Sequence, residues 1–378
     1  MSTLEQLLRD QLDARQSAGN KRTLKQLPEP VDFFSNDYLG LASSGRLGKM
    51  ILDSYSQTGG TGSTGSRLLS GNSTFAEDLE SRIAGFHKAE AALLFNSGYD
   101  ANLGLISAIG LKHTTIIYDE LCHASIIDGI RLTITPRKFK YRHNDIADLS
   151  EMLLRHRDSG ALIVITESVF SMDGDTAPLE LIAALCELCN AHLIVDEAHA
   201  TGVIGQHGEG LVVALDLQEK VFARVHTYGK AMGCHGASVV GSTLLREYLI
   251  NYARSFIYTT ALPAHSLYAI ACAYDHLSGP EYNAPALHER IGYFRDRVAR
   301  RQIEGLIEST SAIQAFVTGG NERTRQLAET VRNAGIRVAP ILSPTVPAGS
   351  ERLRICLHAF NTEAEIDKLL DLLQEFDK

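Results

Sequence analysis

Apolar residues along this chain recur with two rhythms. Short, nearly continuous apolar runs occur at Ala92–Phe95, Thr115–Tyr118, Ala161–Thr166, His192–Val195, Ala223–His226 and Ser238–Gly241. Between most of them the apolar positions return every three or four residues, the spacing of one helix face. β-rich runs separated by helices predict a parallel or mostly parallel α/β sheet, covered on both faces. Such sheets bind ligands beyond the carboxyl ends of their strands. The residues that follow these runs are therefore the ones to weigh for chemistry.

The texture changes after Gly279-Pro280. A helix is expected over Ala286–Arg301, then a strand at Ser311–Val317 and a helix over Arg323–Ala334. A loop with Pro340, Pro344 and Pro347 leads to a strand at Arg352–Ala359 and a last helix. That helix opens with a capping box, Thr362-x-x-Glu365. Ile366, Leu369, Leu370 and Leu373 fall on one of its faces. This reads as a smaller α/β domain. At the other end, Leu4, Leu7, Leu8 and Leu12 are interleaved with Glu5, Arg9 and Asp10. That is an amphipathic helix, not the apolar core of a signal peptide. The expected organisation is an N-terminal helix and arm over 1–45, a large ligand-binding domain over 46–279 and a small α/β domain over 280–378.

Composition narrows the function. A chain of 378 residues, 44% of them hydrophobic, buries a large core and is too long for one ordinary domain. Its formal net charge of −9 argues against a general nucleic-acid or anionic-membrane binder, while allowing a local basic pocket. No run of about eighteen apolar residues appears, so no transmembrane helix is expected. Six cysteines at no framework spacing imply reduced thiols and a cytoplasmic home. Cys186 and Cys189 form a CxxC with no second pair, and core packing is preferred there over a metal or redox site.

Four polar clusters stand where an α/β sheet collects its ligand. They are Asn96-Ser97-Gly98-Tyr99, Ser168 to Asp175, Asp196-Glu197-Ala198-His199 and Thr227-Tyr228-Gly229-Lys230. A Ser-Gly turn at a helix start offers backbone N–H groups to a phosphate. A carboxylate at a strand end can hold a cation, and a lysine in a Gly-flanked turn can reach a cleft. Pyridoxal phosphate (PLP) needs all three: donors for its phosphate, an anion for its pyridine nitrogen and an amine for its aldehyde. The carboxylate of Asp196 would favour the protonated ring, which serves as an electron sink. Lys230 would form the Schiff base and, once displaced, act as general base.

Each residue alone has a plainer reading: Asp196 as a helix cap, Lys230 as a solvated side chain, His123 and His199 as hydrogen-bonded structural histidines. It is their joint occurrence, in this order at strand ends, that points to PLP. Gly60-x-Gly62-x-x-Gly65 matches a dinucleotide fingerprint, but it follows no strand and opens no βαβ unit. Gly229-Lys230 lacks the spacing and the Ser/Thr of a P-loop.

The ordered motifs resemble those of the α-oxoamine synthases, fold-type I PLP-dependent transferases that join an amino acid to an acyl thioester. The resemblance spans nearly the whole chain. It includes Ser35-Asn36-Asp37-Tyr38-Leu39-Gly40-Leu41, Gly65-Ser66-Arg67-Leu68-Leu69-Ser70-Gly71-Asn72 and Cys122-His123-Ala124-Ser125. It continues through the Asp196 and Lys230 motifs to Tyr258-Thr259-Thr260-Ala261-Leu262-Pro263, Pro344-Thr345-Val346-Pro347 and Arg352-Leu353-Arg354-Ile355. The resemblance implies that His123 stacks on the pyridine ring and that Gly98 and Tyr99 meet the cofactor. It implies Ser171 and His199 near the ring hydroxyl, and Thr227 on the phosphate with Thr259 and Thr260 added from a second subunit. A site shared in this way implies a homodimer. Arg354 would take the substrate carboxylate with help from Asn36, Thr345 would contact substrate, and Arg22 would face the acyl donor.

Within that family the chain most resembles the members that condense L-alanine with pimeloyl-CoA, or a pimeloyl carrier protein, in biotin synthesis. Glycine C-acetyltransferase is the nearest rival. A non-catalytic partner subunit is the alternative of another class.

Overall fold

The apolar runs do become strands, because their β-branched residues pack on both faces of one sheet. A computed structural model gives the structure of residues 3–24, 31–55 and 61–376. Gly60 of the rejected dinucleotide fingerprint lies outside the described residues. The chain forms two compact units. The larger contains Asn36–Ser171 and Asp175–Leu287. The smaller takes in the described residues up to Ser35, Met172–Gly174, and those from His288 onward.

The larger unit holds a seven-stranded sheet. Its strands lie in the order Ala91–Phe95, Ala237–Gly241, Val221–Thr227, Ala191–Asp196, Ala161–Glu167, Thr114–Asp119 and Lys138–Tyr141. The last five are parallel to one another. Only Ala237–Gly241 runs against its neighbours, pairing antiparallel on both sides. Six strands therefore deliver their carboxyl ends to one edge. This is the mostly parallel sheet that the alternation of runs predicts.

Alternate residues of each strand feed two cores. Ile163 and Ile165 join Ile116, Ile194, Val225 and Val239 beneath the helices Gly98–Ile109 and Ala124–Leu132. Leu162 and Val164 join Ile117, Leu193 and Val195 beneath Ile146–His156 and Leu179–Leu188. Truncating one of these side chains, Ile165→Ala for example, costs about 2–5 kcal/mol. Cys186 packs in the second core, where burial pushes its thiol up to about 12.

The strand Lys138–Tyr141 has no counterpart among the apolar runs. It forms the sheet's edge, and Lys138 and Lys140 keep its pattern polar, a common way to protect an open edge.

The smaller unit contains an antiparallel sheet ordered Ala339–Ile341, Arg352–Cys356, Ile313–Val317. A two-residue parallel pair joins Val31–Asp32 to Ile336–Arg337. The expected capping box forms: Glu365 N–H donates to Thr362 Oγ1 at 3.2 Å, and Thr362 N–H donates to Glu365 Oε2 at 2.8 Å. Ile366, Leu369, Leu370 and Leu373 of the last helix, Glu363–Phe376, are buried. Met172–Gly174 is tied into this unit by an ion pair of Asp173 with Arg352 and by Ser309 Oγ donating to Gly174 O at 2.8 Å. The helix Leu4–Ser17 buries none of its residues. No helix among the described residues is long and apolar enough to cross a membrane.

Candidate active site

Asp196 is the last residue of its strand, and its carboxylate is buried. Its Oδ1 accepts the Ala198 N–H at 2.9 Å, and its Oδ2 accepts from Asn102 Nδ2 at 2.7 Å. Asn102 also donates to Ser125 Oγ at 3.0 Å, and Ser125 Oγ lies 2.8 Å from His123 Nδ1. One network thus links the anion to the histidine that precedes the helix Ala124–Leu132. Desolvation holds the His123 imidazole below its ordinary value; Lys230 adds to this and Asp196 opposes it.

Lys230 sits in the turn after the strand Val221–Thr227. Its Nζ lies 2.8 Å from His199 Nε2. His199 Nδ1 lies 2.7 Å from the Tyr38 hydroxyl, which donates to Asn36 Oδ1 at 3.1 Å. With its own proton given to Asn36, Tyr38 accepts from Nδ1–H. Nε2 is then left to accept from the lysine.

A third cluster lies at the start of the helix Gly98–Ile109. Ser97 caps it, accepting the Asp100 N–H at 3.1 Å. A side-chain carbon at Gly98 would collide with Thr227 Oγ1, so a bare glycine, a helix start and a hydroxyl converge here. Asn96 Nδ2 donates at 2.9 Å to both Thr259 Oγ1 and Thr260 O, which brings that pair to the same turn. Backbone donors and hydroxyls gathered at a helix start suit a phosphate. An anion at one strand end, an amine at the next and this cradle match the three needs of PLP.

The aminotransferase class I and II family model matches residues 28–373. The chain belongs to the aminotransferase class I and II family. Within it, the 8-amino-7-oxononanoate synthase of Emericella nidulans is 41% identical over 98% of this chain and 95% of its own. The enzyme of that name from Chromohalobacter salexigens is 40% identical over 92% of this chain and 90% of its own. Among solved structures, a serine palmitoyltransferase from S. paucimobilis with a bound PLP-myriocin adduct superposes with a TM-score of 0.89. It is 26% identical and covers 100% of this chain and 98% of its own. The 8-amino-7-oxononanoate synthase of Francisella tularensis gives a TM-score of 0.78 at 30% identity, covering 92% of this chain and 97% of its own. The two rankings differ. Superposition follows a backbone that members of the family share, so sequence identity is the better guide to substrate.

Of the residues singled out in the sequence, the larger unit of this family member joins Lys230 to His199 and Asn36, and Asp196 to His123. It brings Gly98 to Thr227, with Thr259 and Thr260 on the neighbouring Asn96. Ser171 is half-buried in the loop after Glu167. Tyr99 is exposed, its hydroxyl bonded to Asp128. Arg22, Thr345 and Arg354 belong to the smaller unit. Arg354 is buried there, with Nη1 2.9 Å from Cys356 Sγ, while Arg22 and Thr345 are exposed.

Tyr38, Asn102 and Ser125 escaped sequence reasoning as site residues. Tyr38 and Ser125 stand inside quoted motifs but had no role attached. Asn102 lies in an apolar helix and gives no local signal beyond being a buried amide.

Proposed function

We propose that this chain is a PLP-dependent C-acyltransferase, an 8-amino-7-oxononanoate synthase. It condenses L-alanine with the pimeloyl thioester of coenzyme A or of a carrier protein. A bond forms between alanine Cα and the thioester carbonyl, the thiol leaves, and the alanine carboxylate departs as carbon dioxide. About 40% identity to relatives of that name along nearly the whole chain carries this reading, and the Lys230 and Asp196 networks support it.

When bound, PLP supplies an electron sink for the pair of electrons left on alanine Cα. The chain's own residues do the rest. Lys230 Nζ would hold the cofactor aldehyde and, when free, would take the Cα proton. Asp196 is the counter-charge of the pyridine nitrogen. Asn102 and the Ala198 N–H fix that carboxylate. His123 would cover the ring face, and His199 and Ser171 would serve its hydroxyl. Gly98, Tyr99 and Thr227 would bind the cofactor from the helix start, and Thr259 and Thr260, which this chain ties to its own Asn96, would reach the partner's cofactor across a homodimer. Arg354 and Asn36 would orient the alanine carboxylate, Thr345 would contact substrate and Arg22 would face the acyl donor. The reading places the enzyme in the cytoplasm.

The deciding experiment is thiol release from pimeloyl-CoA by PLP-loaded protein, with L-alanine, glycine or L-serine as acceptor. Release that requires L-alanine is expected. Release driven by L-serine with a long-chain acyl-CoA would instead follow the likeness to serine palmitoyltransferase. Release driven by glycine would move the chain to glycine C-acetyltransferase.

A further inference from the structure

Glu167 ends the strand beside the one that ends in Asp196, and the proposed reaction does not use it. The two residues are direct register partners on parallel strands, so their side chains leave the same face of the sheet roughly 5 Å apart. Both are buried, Glu167 at 3% exposure and Asp196 at 5%. Glu167 Oε1 accepts the backbone N–H of His123 at 2.5 Å. That bond anchors the residue just before the helix Ala124–Leu132, whose first turn also carries Ser125.

Two carboxylates this close in an apolar setting do not both ionise. The groups that face Glu167 are Asp196, Asp119 and the Cys122 thiol on one side of the balance and Lys230 on the other. Burial and the Asp196 charge push the Glu167 carboxyl well above its usual range; Lys230 and the His123 N–H pull against them. Asp196 accepts from two N–H donors, whereas Glu167 accepts from the His123 N–H.

We propose that Glu167 is a positioning residue: a protonated carboxyl that holds His123 in place and leaves Asp196 as the anion facing the cofactor nitrogen. The inference rests on reading this as a PLP site. Its physical point is the separation of two jobs. An ionised glutamate would hold the same N–H, but it would put a second negative charge beside the ring and stabilise the charged form of Lys230 as well. A protonated one positions the histidine without altering the field.

Infrared difference spectra of cofactor-free protein test this directly. A protonated carboxyl band is expected at neutral pH in the parent protein and not in Glu167→Gln. In the loaded enzyme, Glu167→Gln keeps an oxygen acceptor for the His123 N–H and removes no charge. The pH at which the visible absorbance of the lysine-bound cofactor changes should then stay where it is. Glu167→Leu removes the acceptor, and should weaken the induced circular dichroism of the cofactor and its affinity by about tenfold. If Glu167→Gln does not fold, the band is identified by Asp196→Asn, which removes the neighbouring charge and should let the band titrate at lower pH.

Absence of the band, or a shifted absorbance profile in Glu167→Gln, would overturn the proposal. A chain that binds no PLP would sink the reaction proposed above yet leave the infrared result standing. A chain that binds PLP but lacks the band would sink this inference alone.

Discussion

Nζ of Lys230 lies 2.8 Å from Nε2 of His199. In the cofactor-free chain this bond fixes the direction of the lysine, and Tyr38 fixes the histidine from the other side at 2.7 Å. The three side chains come from separate parts of the larger unit, so the amine is aimed by tertiary structure and not by its own turn. Lys230→Ala should abolish both turnover and the visible absorbance of lysine-bound cofactor. Tyr38→Phe keeps the ring and deletes the hydroxyl that His199 meets. It should retain lysine-bound cofactor while lowering kcat by about tenfold, the effect of one lost hydrogen bond in a polar relay. Steady-state kinetics and an absorbance spectrum separate the two; a Tyr38→Phe enzyme with unchanged kcat would remove the tyrosine from the relay.

Asp196→Asn is close to isosteric and should fold, since the asparagine can keep an oxygen toward one of the two donors. It loses the charge proposed to pair with the pyridine nitrogen, and activity should fall by roughly 10²–10⁴-fold. Asn102→Ala leaves that charge in place but frees Oδ2 from its 2.7 Å bond. A hydrogen bond to a charged group contributes about 1.5–3 kcal/mol, so kcat/KM should drop by roughly tenfold to a hundredfold. Far-ultraviolet circular dichroism checks the fold and kcat/KM checks the order; an Asn102→Ala loss equal to that of Asp196→Asn would contradict the division of roles.

Much of this architecture can be read along the chain because its physics is local. Leu162 to Ile165 are apolar on both faces, and that continuity by itself marks the run as a buried parallel strand. Asp196 and Lys230 stand out for a related reason: Asp196 directly follows such a run, and Lys230 lies in the turn just beyond another. What is not legible is tertiary. The strand Lys138–Tyr141 alternates charge with aromatics and looks like loop until the Thr114–Asp119 strand pairs with it. Asn102 reaches Asp196 across 94 positions, and nothing near Asn102 marks that reach. Glu167 reads as the polar end of a strand, and only the register with Asp196 gives it meaning. Three residues assigned to substrate, Arg22, Thr345 and Arg354, stand on motif resemblance, and their test is kinetic.

Gly98→Ala probes the cradle. The added carbon would meet Thr227 Oγ1, and both belong to well-packed elements, so one of them must shift. Overpacking of this kind costs about 1–3 kcal/mol, and here it falls at the proposed phosphate cradle. Cofactor affinity should weaken by about tenfold or more while the secondary structure stays unchanged. Titration of cofactor-free protein with PLP, followed by absorbance, reads this. Unchanged affinity would move the phosphate elsewhere along the sheet edge.

His143 provides a pH-dependent stability term. Its Nδ1 meets Asp119 Oδ1 at 2.9 Å and its Nε2 meets Asp175 Oδ2 at 2.8 Å, so both ring nitrogens donate and the ring is charged. Burial alone would lower its pKa, but the two carboxylates outweigh burial and raise it from 6.5 to about 9. A group whose folded value is raised binds its proton more tightly in the native state. Its contribution, about 3 kcal/mol at most and less after solvent screening, is therefore complete below about pH 6.5, falls as pH rises through the interval, and is gone above about pH 9. Urea midpoints should decline between these limits in the parent protein. In His143→Gln the stability should start lower and stay flatter over the same range. The two curves should converge toward pH 9 and beyond, and curves that remain parallel would show that His143 is not the titrating group.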